Sequence, residues 1–379
     1  MKVRHLGKSG EMSEIDRETW AGRKVLVTGD TGFTGVWLCR VLMDCGAEVA
    51  GYSLAPNEDK NREDFPSSRN RIGRQTDSSI SAFGDIQNYQ EFENFAKNFD
   101  PEVVIHLAAE AQVLEGYRSP LKSFSVNMTG TLNLLEVVRH LPRTRVTLVV
   151  TTDKVYRQTV GIRRPFVEDD PLWGSDPYSA SKVCAEQIVD SYRKSFFAGG
   201  SNQVVVARAG NIIGGGDWSR DRLLPDLVRS RVSGVPCEIR MPFAIRPWGH
   251  VADVIGGYLH AIGILLRGGK PIDTLNLGPR AGNWTDVQQV IEIVRGLIPG
   301  IPEPIIESVG PVWREEPYLD LDVNKAGRVL RYSYAWSPPE AINRAANWYR
   351  DYLEGQDGVD LIHRDLREHP SFAGLIDAA

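Results

Sequence analysis

Tyr178 and Lys182 stand four residues apart in Asp176-Pro177-Tyr178-Ser179-Ala180-Ser181-Lys182, so on a helix they share one face. An ammonium fixed beside a phenol favours phenolate and would bring the tyrosine below its ordinary pKa of about 10. Such a pair is a general base for taking the proton of a sugar or alcohol hydroxyl while hydride leaves the carbon. By itself the spacing is also that of a solvated tyrosine–lysine pair. Two upstream stretches decide between these readings. One is Thr151-Thr152-Asp153-Lys154, a hydroxyl and two charges at the end of an apolar run.

The other is Gly29-Asp30-Thr31-Gly32-Phe33-Thr34-Gly35. It follows the β-branched run Lys24–Thr28 and opens into Val36–Cys45, which reads as a helix. Three glycines at this spacing between strand and helix form a dinucleotide fingerprint. Gly29 permits the turn, Gly32 lets backbone approach a pyrophosphate, and Gly35 allows the helix to pack close to the strand. The helix N-terminus then faces the anion.

These residues need a frame, and the first half of the chain supplies one. Short apolar runs predict strands at Lys24–Thr28, Glu48–Ser53, Ile80–Phe83, Val103–His106, Arg145–Thr151 and Gln203–Arg208. Helical patterns lie between several of them, at Tyr89–Asn98, Ser123–Arg139 and Tyr178–Phe197. Alternation of this kind predicts an α/β fold, a doubly wound parallel Rossmann sheet with ligands at the carboxyl ends of its strands. Beyond Gly210 the pattern is less regular and richer in Gly, Pro and Arg, as expected of a smaller C-terminal substrate-binding lobe over the cofactor. The expected organisation is an N-terminal extension (1–19), a dinucleotide-binding Rossmann domain (20–209), a lobe with chain returns to the sheet (210–350) and a polar C-terminal extension (351–379). Pro339–Leu353 is expected to be the last helix, and Asn57–Asp77 a surface loop.

Composition excludes several function classes. The 379 residues carry a net charge of −5 with 25% charged residues, so there is no basic excess for general nucleic-acid binding. No apolar run approaches the roughly 20 residues of a membrane span. The first residues mix both charge signs around no apolar core, so export is not expected. Cys39, Cys45, Cys184 and Cys237 form no Cys-x-x-Cys pair, which suits reduced thiols in the cytoplasm. No cluster has zinc spacing, so no metal is expected. His106 and His250 read as packing residues rather than chemistry, and Asp169 and Asp170 as solvated.

The chain resembles the extended short-chain dehydrogenases/reductases from about Trp20 to about Tyr352, and within them the CDP-glucose 4,6-dehydratase family. The most specific stretches are Ala209–Trp218 followed by Asp221–Asp226, and Ile245–Val251; Gly29–Leu38, Gly51–Leu54, His106–Ala109 and Thr151–Tyr156 add to them. The resemblance implies conversion of CDP-glucose to CDP-4-keto-6-deoxyglucose plus water, with bound NAD recycled. It implies Tyr178 as base at the sugar 4-hydroxyl and Lys182 at the nicotinamide ribose. Thr152 would hydrogen-bond the 4-oxygen, and Asp153 would protonate the departing 6-hydroxyl. Cofactor contacts would come from Gly29, Thr31, Gly32, Phe33, Gly35, Asp85, Ile86, Leu107, Ala108 and Ala109, with Asp85 at the adenine. Substrate contacts would come from Glu110, Asn211, Arg222, Leu224, Arg246, Asn276 and Arg314, with Asn211 and Arg246 at the diphosphate. Helices Ser123–Arg139 and Tyr178–Phe197 would form a four-helix interface in a homodimer or higher homo-oligomer.

The chain departs from that pattern in places. Lys154 stands where many related dehydratases have Glu, though the CDP-glucose branch shares the lysine. It is either the C5 base or a partner of Asp153 or phosphate. Glu110-Ala111-Gln112 and Leu114 replace the usual Gln-Pro-Leu and arginine, and Arg314-Glu315-Glu316 replaces His-Glu-Ala. A carboxylate at Glu110 bears on which sugar is accepted. The usual acidic ribose partner is missing at Val49–Leu54, which offers only Tyr52 and Ser53. No arginine stands there for a 2′-phosphate, and the resemblance favours NAD. Rival readings are an epimerase or decarboxylase of the same fold, which needs no acid at Asp153, and a silent nucleotide-binding protein, which needs none of Thr152, Tyr178 and Lys182.

Overall fold

The computed structural model describes residues 15–55, 80–158, 163–306 and 317–376. Its centre is a seven-stranded sheet in which every neighbouring pair is parallel. The strands are β1 (Lys24–Thr28), β2 (Glu48–Ser53), β3 (Ile80–Phe83), β4 (Val103–His106), β5 (Val146–Thr152), β6 (Gln203–Ala209) and β7 (Thr274–Leu277). Their order is β7-β6-β5-β4-β1-β2-β3. The inner strands read as continuous apolar runs because helices cover both faces; Val25, Leu26 and Val27 are all fully buried. The order reverses between β1 and β4, and the crevice outside that point is where such sheets take ligands.

Helix boundaries follow local chemistry. Helix α1 (Phe33–Asp44) begins directly after the glycine turn. Asn88 caps α2 (Tyr89–Phe99), its side chain accepting from the Glu91 amide. Helix α3 runs over 120–138 with a π-helical turn at Ser125–Thr129, and α4 (Pro177–Tyr192) ends in another at Arg193–Phe197. Beyond β6 the chain forms α5 (Leu223–Ser233) and α6 (Val251–Leu266), returns to the sheet at β7, then forms α7 (Pro338–Leu353). Paired segments Asn211–Ile213 and Trp248–His250 link the sheet to these helices.

The C-terminal stretch differs from expectation. Pro338–Leu353 is not the last helix: α8 (Gly358–Glu368) and Ala373–Ile376 follow it. Polar composition concealed an amphipathic helix, whose Leu361, Ile362 and Leu366 join the core shared by α1, α6 and α7. Asp365 of α8 lies 3.8 Å from His250, and the Ile15 amide donates to the Ser371 carbonyl at 3.1 Å. The described residues on either side of 20–350 thus contribute to the same core, through Ile15, Leu361, Ile362, Leu366 and Phe372. The loop expected at Asn57–Asp77 lies outside the described residues.

Candidate active site

Strand β5 delivers Thr151 and Thr152 to the sheet's carboxyl edge, and a single 3-10 turn, Asp153–Val155, follows. Helix α4 starts at Asp176, whose side chain accepts from the Ser179 amide at 3.0 Å, with Pro177 in the first turn. This start places Tyr178 and Lys182 on the face toward β5. The Lys182 ammonium donates to the Val150 carbonyl at 3.2 Å. The Thr152 hydroxyl hydrogen-bonds Tyr178 and lies 3.1 Å from Asp153 Oδ1. Strand end and helix face therefore bring Thr152, Asp153, Tyr178 and Lys182 together.

Burial dominates the electrostatics. Asp153 is 1% exposed, and its Oδ2 has no hydrogen-bond partner among the described residues. Desolvation raises its pKa, against the opposing charges of Lys154 and Arg246, so the group is biased toward the protonated acid. Lys182 is pushed down to about 8 by burial, with Glu186 acting the other way. Tyr178 is pushed up to about 12 by burial; the Thr152 hydrogen bond and Arg222 pull it down, while Asp153 and Asp176 push it up. The expectation of a phenol eased below its ordinary value is not met by these side chains alone. Desolvation outweighs the Thr152 hydrogen bond and the Arg222 charge, so the resting tyrosine is neutral.

The cofactor side is built from backbone. Gly29 has φ +75°, and a Cβ there would come within 2.8 Å of the Ala108 amide nitrogen. A Cβ at Gly35 would collide with the Gly29 carbonyl oxygen, and one at Gly32 would sit 3.2 Å from it. The turn, the start of α1 and the Leu107–Ala109 strand end thus leave backbone where a dinucleotide pyrophosphate would lie, and NAD fits this cradle. Thr31 donates to the Ser53 hydroxyl at 3.0 Å, and the partly buried Phe33 packs near Gly214. Asp85 accepts from the Gln87 amide at 2.9 Å, and Ile86 packs against Gly130. The Tyr52 ring packs on Phe92 and Phe95, and its hydroxyl lies under Gly84. His106 bridges Thr28 at 2.7 Å and Thr131 at 3.3 Å; burial takes its pKa to about 3, a structural histidine.

The expected substrate residues divide. Arg246 is 4% exposed, and its charge bears on Asp153. Arg222 is half-buried, paired with Asp217 at 3.3 Å, and its charge bears on Tyr178. Asn211 is half-buried beside Trp248. The Glu110 carboxylate is held by Lys122 at 2.8 Å, and its backbone is fixed on both sides by Asn127. Leu224 is corrected: its side chain is 2% exposed and belongs to the core, so it offers a ligand only backbone. Asn276 is corrected as well. It is fully buried, its Oδ1 accepts from Tyr156 at 2.6 Å, and its amide donates to the Phe166 carbonyl at 2.8 Å, so it pins the lobe. Arg314 lies outside the described residues.

Sequence reasoning passed over Glu186 and Arg208, which form a buried ion pair at 2.5 Å beneath the site. Both left a signal: Glu186 repeats the four-residue spacing from Lys182, and Arg208 is a charge inside the apolar run Gln203–Ala209.

Comparison with known proteins agrees with this geometry. The chain is 34% identical to the CDP-glucose 4,6-dehydratase of Salmonella typhimurium, over 94% of this chain and 99% of that one. It is 24% identical to a dTDP-glucose 4,6-dehydratase of Haemophilus influenzae, over 86% and 97%. Its fold is similar to that of the UDP-glucuronic acid 4-epimerase from Bacillus cereus solved with UDP-glucuronic acid and NAD. That likeness has a TM-score of 0.73 at 22% identity and covers 87% of this chain and 99% of that one. The family model for NAD dependent epimerases and dehydratases matches residues 25–278, which contain the glycine turn, the Thr152–Asp153 strand end and the Tyr178–Lys182 helix face. The chain belongs to the NAD dependent epimerase/dehydratase family.

Proposed function

We propose that this protein is a nucleotide-sugar 4,6-dehydratase acting on CDP-glucose, with NAD held at the glycine turn. The observation that carries the reading is Asp153: a buried carboxyl, biased toward its protonated form, one residue beyond the hydroxyl that hydrogen-bonds Tyr178. A 4-epimerase expels no group from C6 and needs no acid there. The extent of the likeness to the Salmonella enzyme supports CDP-glucose as the sugar nucleotide.

In this reading Thr152 orients the sugar 4-oxygen and Tyr178 takes its proton. The resting Tyr178 is neutral even with Arg222 bearing on it, so its action as base requires positive charge beyond that guanidinium, as a bound oxidised nicotinamide would supply; Lys182 lies one turn further along the same helix face. Bound NAD would supply the acceptor for the C4 hydride and the source of the same hydride for C6. Asp153 donates its proton to the 6-hydroxyl as that group leaves as water. Arg246 faces Asp153, so it compensates the carboxylate that remains. The C5 proton leaves to a base as water is lost and returns to C5 as hydride reaches C6; Lys154 serves as that base or as a further partner of Asp153.

The exposed apolar side chains Leu121, Leu132 and Phe196 lie on α3 and α4, which supports a homodimer joined through these helices. Light scattering at micromolar concentration should then give twice the mass of one chain. Among the described residues no helix is long and apolar enough to cross a membrane, and all four cysteines are free, which supports a cytoplasmic enzyme.

Incubation with CDP-glucose, dTDP-glucose and UDP-glucose in turn tests the substrate. The expected result is a 4-keto sugar, read by its absorbance in alkali, formed fastest from CDP-glucose. An epimerised sugar with no keto product would replace the dehydratase by the epimerase reading.

A further inference from the structure

The Glu186–Arg208 pair lies beneath the catalytic residues, each side chain only 5% exposed. Glu186 follows Lys182 by one helical turn on the same face. Its Oε1 accepts from the Thr151 hydroxyl at 2.6 Å and from Arg208 Nε at 2.9 Å. Arg208 Nη1 donates to the Tyr156 hydroxyl at 2.8 Å and to the Glu168 carbonyl at 2.9 Å. Thr151 and Tyr156 flank Thr152-Asp153-Lys154 on either side. One ion pair therefore ties the base helix to both ends of the acid segment and to β6.

A buried ion pair is a weak device for stability, since apolar residues of similar volume often serve as well. Its position relative to the chemistry gives a better account. We propose that Glu186 and Arg208 are positioning residues for the dehydration, fixing Thr152 and Asp153 opposite Tyr178 and setting the charge felt by Lys182 without touching substrate. The inference rests on the reading of Tyr178 and Lys182 given above.

The groups around Lys182 define the sign of the effect. Tyr178 and Glu186 share its helix, the Val150 carbonyl faces it from β5, and neutral His106 approaches from β4. Arg208, from β6, acts on it through Glu186. Burial lowers Lys182 and the Glu186 carboxylate raises it. Removing the carboxylate must lower it further, whereas removing only the guanidinium leaves the carboxylate less compensated and must raise it. Opposite displacement from the two halves of one ion pair does not follow from loosened packing.

The test is the pH dependence of kcat with CDP-glucose for the NAD-loaded native protein, E186Q, R208Q, E186D and the double variant E186Q/R208Q. Native turnover should fall on the alkaline side near pH 8, as Lys182 loses its proton. In E186Q that fall should come roughly one pH unit earlier, and in R208Q later by a similar amount. Both should lose roughly tenfold in kcat with KM little changed, as expected of misplaced rather than missing groups. E186D keeps the charge and should restore the native limb. Where a single variant does not accumulate as folded protein, the charge-neutral double should show a lowered kcat with a native-like limb. Limbs that stay in place or move together in the single variants, or a limb displaced by a full unit in the double, overturn the proposal. Competitive acetylation of Lys182 against pH, with no sugar present, reads the same shifts independently. Absent turnover with CDP-glucose then removes the substrate reading, and absent opposite shifts in labelling remove the ion-pair role.

Discussion

The two halves of the sheet's ligand edge are built on different physics. At β1 and β2 the chain meets its ligand by removing side chains: Gly29 and Gly35 sit where a methyl group would strike backbone. At β5 and β6 it does the opposite and buries Asp153, Lys182, Glu186 and Arg208, all at most 7% exposed. The first half is a matter of shape. The second depends on which groups hold protons as well as on where they are held. A family that keeps one cofactor while varying its sugar chemistry is served by this division.

Four changes break or sharpen the contrast. The largest effect is expected for Tyr178→Phe, which should lower turnover by at least about a hundredfold. The NAD content of the purified protein should stay near native; normal turnover would dismiss the tyrosine as base. Asp153→Asn should slow elimination but leave C4 oxidation, so near-ultraviolet absorbance of reduced cofactor should build up after CDP-glucose is added. Burial raises the Asp153 pKa, so the acid form persists above the ordinary value of about 3.9 and is lost as pH rises through the raised one. Elimination in the native protein should decline along that limb, and in Asp153→Asn the limb should vanish. A variant that turns over normally with no absorbance change would give the site back to the epimerase reading.

On the other side of the contrast, Gly35→Ala changes no charge. It should cost about 1–3 kcal/mol by overpacking, seen as a lower melting temperature and reduced NAD retention, with an unaltered pH profile for the turnover that remains. A displaced pH limb would mean that the two halves are not separable. The smallest effect is expected for Tyr52→Phe. The Tyr52 hydroxyl is buried with no partner among the described residues, so its removal should leave NAD binding unchanged and stability unchanged or improved by about 1 kcal/mol. Weaker NAD retention in that variant would make Tyr52 the missing ribose partner.

The shape-based half was the more legible in sequence. Short β-branched runs and a glycine pattern are local features, and the strands from Lys24 to Phe83 and the turn at Gly29 can be read from them without knowing what lies opposite. The electrostatic half was legible by residue type but not by consequence. Spacing places Tyr178 one turn from Lys182; it cannot tell that burial pushes the phenol up despite Thr152 and Arg222. Asn276 reads as a ligand residue because its partners, Tyr156 and Phe166, are more than a hundred residues away. Helix α8 was lost for another reason: its apolar positions are few, and only the surface they meet shows that they suffice.

Helix α8 also has a consequence for the order in which the protein becomes competent during synthesis. The glycine turn, the Tyr178 helix and the Arg246 segment all leave the ribosome well before Asp365, which is what backs His250 within that segment. Because α8 also packs on the core under α1, whose start forms the cradle, both halves of the ligand edge gain their outer support only when the C-terminal residues carrying α8 have emerged.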